Sequence, residues 1–131
     1  MPSREQANAE MISRWDAVFR AVSAEPRRQI VVNLMEAPPG RALSLPQAAN
    51  PPYLLDDPER LSTELIHTHL PLLADEGFVE WDRDPFCVER GSAFEEVATV
   101  FEALHGHADE IPPQLTEGCQ RLEEKREGGT V

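Results

Sequence analysis

Apolar residues recur along this chain at helical spacing, then in a short β-prone run, then at helical spacing again. Ile12, Trp15, Val18, Phe19 and Val22 form one stripe and predict a helix from Met11 to near Ser23. Ile30, Val31, Leu34 and Met35 are the buried face of a second helix, with Ser23 or Glu25 as cap and Pro26 in its first turn. Pro38, Pro39 and Gly40 end it. Ser44–Ala49 predicts a short third helix, capped by Ser44 and stopped by Asn50, Pro51 and Pro52. Asp57 is a good N-cap with Pro58 at the first helical position, so a fourth helix runs from Pro58 to about Glu76. Its apolar half is Leu61, Leu65, Ile66, Leu70, Leu72 and Leu73, and Pro71 must kink or split it.

Gly77 stands where a helix C-cap needs a left-handed residue, and the chain leaves as a hairpin. Phe78–Trp81 and Phe86–Glu89 are its strands, with a turn at Arg83-Asp84-Pro85. Ser92 and Glu95 have capping-box spacing and open a fifth helix. Phe94, Val97, Ala98, Val100, Phe101 and Leu104 make that helix apolar over so much of its surface that it needs a partner, either the first helix or a second subunit. From His105 the periodicity fades into polar sequence. The expected organisation is a disordered 1–10, one domain over 11–105, and a polar, flexible tail over 106–131.

Composition changes the picture in one respect. The 131 residues carry 24 acidic and 12 basic side chains, a formal net charge of -12, and Lys125 is the one lysine among the basic residues. Acid excess with almost no lysine is the pattern of proteins from salt-loving archaea, whose carboxylate surfaces stay hydrated in concentrated salt; the alternative is an ordinary acidic protein with a basic partner. No stretch approaches the roughly 18 apolar residues of a membrane span, and MPSREQANAEM has no apolar signal core, so a cytoplasmic protein is expected. Cys87 and Cys119 are far apart and expected to be free thiols.

The order of these elements resembles the ArsR-like winged-helix regulators. More narrowly, the chain is similar to small winged-helix domains abundant in haloarchaea. Val22, Ser23, Arg27 and Arg28 carry that likeness at the second helix. His67, His69, Leu70, Pro71, Leu73, Gly77, Val79 and Asp82 carry it from the fourth helix into the hairpin. The resemblance covers about residues 13–105. It implies a mainly α winged helix-turn-helix with a two-stranded β-wing and a C-terminal helix, acting as a DNA-binding transcriptional regulator. The linker NPPYLLDD departs from the usual helix-turn-helix turn of about 3–4 residues, and the paired cysteines of ArsR metal sensors are missing.

In such a fold the outer face of the fourth helix enters the major groove. That face holds Arg60, Thr63, Glu64, His67 and Thr68. Arginine suits guanine or phosphate and threonine suits phosphate or a thymine methyl, whereas Glu64 repels phosphate unless it accepts from cytosine. Arg83 at the wing tip is the leading backbone-contact candidate, with Arg90 just beyond the wing; the alternative for Arg83 is a turn residue paired with Asp82 or Asp84. His69 falls on the apolar face and is expected as a hydrogen-bonded core histidine. One of Arg27 and Arg28 is expected to pair with Glu25 or Asp16, the other to touch DNA or the fourth helix. Homodimerisation is expected through Trp15, Phe19, Phe94, Val97, Phe101 and Leu104.

Two other readings stay open: a winged-helix protein-interaction module without DNA binding, favoured by the acidity, and a metal-responsive repressor. The latter requires the histidines, such as His105 and His107, to converge with a cysteine, Cys87 or Cys119, and their spacing matches no strong metal motif, so no metal or other cofactor is expected. The chain has no Gly-rich phosphate loop, nucleophile elbow or zinc-protease motif, and no enzyme is expected.

Overall fold

The computed structural model describes residues 3–50, 57–116 and 118–128. It is mainly helical with a small antiparallel sheet. Helix α1 spans Arg4–Ala21, so residues 4–10, expected to be disordered, are helical. The cause is a reciprocal cap: Ser3 Oγ accepts from the Gln6 amide and Gln6 Oε1 accepts from the Ser3 amide. Helix α2 spans Glu25–Glu36 with Glu25 and Pro26 in its first turn, as expected; its N-cap is Ala24 and makes no side-chain bond.

The short third helix is not there. Leu43–Ser44 form strand β1, and only Gln47–Ala49 close a 3₁₀ turn. The expected stop at Asn50-Pro51-Pro52 and the linker lie largely outside the described residues. Asp57 caps the next helix as expected, accepting from the Glu59 and Arg60 amides. That helix is α3 over Pro58–Glu64, a π turn over Leu65–His69, and α4 over Leu70–Asp75. Pro71 explains the wide turn. It has no N–H to donate and its ring excludes the carbonyl four residues back, so the chain relaxes to a longer repeat just before it. The Leu70 amide accordingly reaches back five residues to Leu65 O.

The helix ends in a Schellman motif. Gly77 has φ 78°, its amide donates to Ala74 O, and the Phe78 amide donates to Leu73 O. The buried rings and chains of Phe78 and Leu73 complete the motif. Strands β2 (Val79–Arg83) and β3 (Phe86–Arg90) form the hairpin, with Arg83 opposite Phe86 and Asp84-Pro85 at the tip. Strand β1 pairs with the other edge of β3, so the sheet has three strands in the order β1-β3-β2 rather than the expected two. Gly91 follows β3 where a Cβ would lie 2.4 Å from Gly77 O, so only glycine lets the two chain segments cross.

Helix α5 spans Phe94–Gly106. Its N-cap is Ala93 without a side-chain bond, so the Ser92–Glu95 capping box does not form; the first turn is held by backbone bonds from Ala93 to Gly77 O and from Phe94 to Gly91 O. Beyond Gly106, where a flexible tail was expected, a 3₁₀ turn (Ala108–Glu110) and helices α6 (Pro113–Thr116) and α7 (Gln120–Gly128) pack back on the domain. Cys119 and Leu122 are buried, and Arg121 donates to Gln29 Oε1 and Asn33 Oδ1 on α2. The core draws on α1, α2, α3–α4, the sheet and α5, with Ile30, Leu65, Leu70, Phe78, Val88 and Phe101 fully enclosed. Among the described residues no helix is long and apolar enough to cross a membrane.

Candidate nucleic-acid interface

The polar face of α3 and the π turn stands out from the core. Arg60, Thr63, Glu64, His67 and Thr68 are all exposed. Arg60 Nε contacts Glu64 Oε1 at 3.3 Å with its side chain 80% exposed, an ion pair that water or phosphate replaces at little cost. Thr63 Oγ1 donates to Glu59 O. Arg83 is exposed at the hairpin tip, where its amide donates to Asp82 Oδ1. The same hairpin exposes Glu80, Asp82 and Asp84, so its tip is not a basic finger.

Other arginines of the expected set turn inward. Arg90 donates to Leu34 O, Met35 O and Ala37 O, capping the carbonyl end of α2, and lies 5.0 Å from the Phe94 ring centroid. It belongs to the fold and not to the exposed set, because the last carbonyls of a helix need donors. Arg28 pairs with Glu25 at 2.8 Å and donates to Val22 O, which satisfies the expected structural pairing. Arg27 is 6% exposed and binds Arg20 O, Ala21 O, Ser23 Oγ and His69 Nδ1. His69 is therefore the hydrogen-bonded, half-buried histidine its position on the apolar face predicts. Burial first, then the Arg27 charge, holds its pKa below the ordinary histidine value, with Glu64 opposing.

The residues expected at a dimer interface divide. Phe94, Val97 and Phe101 are buried in the chain's own core, which corrects their assignment: the first partner of the apolar fifth helix is its own domain. Trp15, Phe19 and Leu104 are exposed, and Met11 and Ile12 join them. Trp15 and Phe19 stack on each other at 5.7 Å. Beside them an open groove of about 500 Å³ runs between α1 and α5, lined in part by Met11, Trp15, Val18 and Val100.

Sequence reasoning missed Arg14. Its guanidinium reaches Glu96 (2.8 Å) and Glu76 (2.9 Å), donates to Glu76 O, and sits 5.3 Å from the Phe78 ring centroid. It clamps α1 to α5 and to the end of α4. The available signal was a single arginine on the edge of an otherwise apolar helix stripe. Cys87 and Cys119 are free, as expected. Among the described residues no group of three or more His, Cys, Asp and Glu comes together as a metal site. No family model, curated protein or solved structure matches the chain.

Proposed function

We propose that this chain is a winged-helix transcriptional regulator that binds double-stranded DNA as a homodimer. The carrying observation is the exposed polar face Arg60-Thr63-His67-Thr68 on a helix that passes through a glycine cap directly into a two-stranded hairpin. The strand order β1-β3-β2 with helices before β1, between β1 and β2, and after β3 supports the same reading. The helix reads base edges and the hairpin meets backbone through Arg83.

The test is binding to genomic DNA fragments over a salt series reaching molar potassium chloride. The two arginines of the proposed interface in each subunit, Arg60 and Arg83, set a shallow salt slope of about −4 for a dimer. Selective binding is expected, and an Arg60→Ala, His67→Ala, Arg83→Ala variant loses about a hundredfold in affinity. Equal binding by the variant would refute this face as the reader.

The outer face of α1 supports the dimeric part of this reading. Met11, Ile12, Trp15 and Phe19 are each more than half exposed, together on the order of 400–500 Å² of apolar surface, at the upper end of what monomers leave uncovered. Sedimentation is expected to give twice the 14.7 kDa chain mass, and a Trp15→Ser, Phe19→Ser variant to give the single chain. A monomeric parent would remove the dimer from this reading.

A second reading has a specific observation behind it. Arg14, Arg27, Arg28, Arg90 and Arg121 all serve internal contacts, so the remaining basic residues are outweighed by the acidic ones on the surface. That arrangement favours a winged-helix module that binds a basic protein partner. Absence of selective DNA binding at every salt concentration would decide for it.

A further inference from the structure

Arg27 and His69 lie 42 residues apart in sequence and meet at 2.7 Å beneath the polar face of the π turn. We propose that this contact is a proton-operated latch: neutral His69 fixes the face carrying His67 and Thr68, and protonated His69 releases it. The functional meaning of the latch rests on the DNA-binding reading; its chemistry does not.

The geometry assigns the roles. A guanidinium keeps its proton throughout the working range, so Arg27 Nη1 donates and His69 Nδ1 must accept. The imidazole is then neutral, with its one N–H on Nε2. A further proton has only Nδ1 to go to. It would replace a hydrogen bond with two cations facing each other across a part-buried contact.

Arg27 is not free to swing away. Nε and Nη2 hold Ala21 O and Arg20 O at the end of α1, each at 3.0 Å, and Nη2 also holds Ser23 Oγ. Departure would break three bonds at once and take from Ala21 O its guanidinium donor, so His69, held to Arg27 by one bond, is the partner that moves. It is the last residue of the π turn, two before Pro71, where the helix ladder is already interrupted. Motion there costs less than motion within a regular helix. His67 and Thr68 are carried with it.

The charged groups acting on His69 are Arg27 from α2 and Glu64 from its own helix. Arg28 acts on Arg27 in the same sense, lowering it after burial does. The end of α1 contributes the Arg20 and Ala21 carbonyls, and Ser23 its hydroxyl. Because the folded histidine binds its proton less readily than the unfolded one, the latch contributes fully above about pH 6.5, the unfolded value. Its contribution is lost as pH falls from there through the lower folded value.

The test is nuclear magnetic resonance of the full chain between pH 8 and pH 5. At pH 8 His69 is expected as the Nε2–H tautomer. In a His67→Gln background, which leaves His69 the one imidazole of this turn, the amide signals of 66–70 should shift on acidification with a midpoint below about 6.5, and their exchange protection should fall about tenfold. His69→Asn places an oxygen acceptor where Nδ1 stood and cannot titrate, so the step should vanish. An Nδ1–H tautomer at pH 8, or a step that persists in His69→Asn, overturns the latch. Should that variant not fold, the tautomer and the parent titration decide alone. None of these measurements uses DNA, so failure of DNA binding leaves the latch standing. Where DNA is bound, selectivity must decline over the same pH interval; selectivity unchanged across the step would overturn the functional half.

Discussion

Phe78→Ala is expected to lower the free energy of unfolding by about 4 kcal/mol, read as a fall in the urea midpoint at unchanged slope. The side chain is fully enclosed and closes the Schellman motif against Leu73. Removing the ring opens a cavity at the point where the helix becomes a strand, and it takes away the face over which the Arg14 guanidinium lies. Phe78→Leu keeps most of the volume and should cost about 1.5 kcal/mol. A loss below about 1 kcal/mol for the alanine variant would mean that the junction is not packed as described.

Arg90→Met is the second large effect, at about 3 kcal/mol. Methionine replaces most of the stem and none of the donors. Leu34 O, which takes two bonds from the guanidinium, and Ala37 O would be left at a part-buried helix end. Arg90→Lys keeps the charge but offers a point donor in place of a planar fork, so it should recover less than half of the loss. Denaturant titration of the three proteins measures both. DNA affinity per folded molecule should be unchanged in Arg90→Met, which separates this arginine from Arg60 and Arg83.

The elements that were legible are those whose signal is local. Asp57-Pro58 marks a helix start and Gly77 a helix end by backbone chemistry that neighbours rarely override. The Pro71 disturbance was legible too, although not its form as a widened turn. Ser3-x-x-Gln6 was an equally local signal, outweighed by the polar character of the segment around it.

What escaped is long-range. Strand β1 is two residues long, and its partners Cys87 and Val88 lie more than forty positions further on, so no periodicity can announce it. The C-terminal helices carry few apolar residues, and their docking depends on a polar contact between Arg121 and α2. The candidate site divides in the same way. Helical projection placed Arg60, Thr63, Glu64, His67 and Thr68 outside and His69 inside, because those statements follow from angles on one helix. It placed Arg90 outside as well, because nothing local shows that the end of α2 needs donors from β3. The fifth helix shows the same limit: its apolar surface predicted a partner, but Phe94, Val97 and Phe101 found theirs within the chain.

The chain's two tryptophans fall at different places in this fold. Trp15 lies more than half exposed on the outer face of α1, and Trp81 sits in β2 edge-on to Phe86. The protein thus carries an optical reporter on each of the two surfaces it is proposed to use, without any label. Association through α1 should shift the Trp15 emission to the blue, whereas a ligand at the hairpin should alter the Trp81 component. Trp15→Phe and Trp81→Phe would each leave one emitter, so each event can be followed separately in its own single-tryptophan variant.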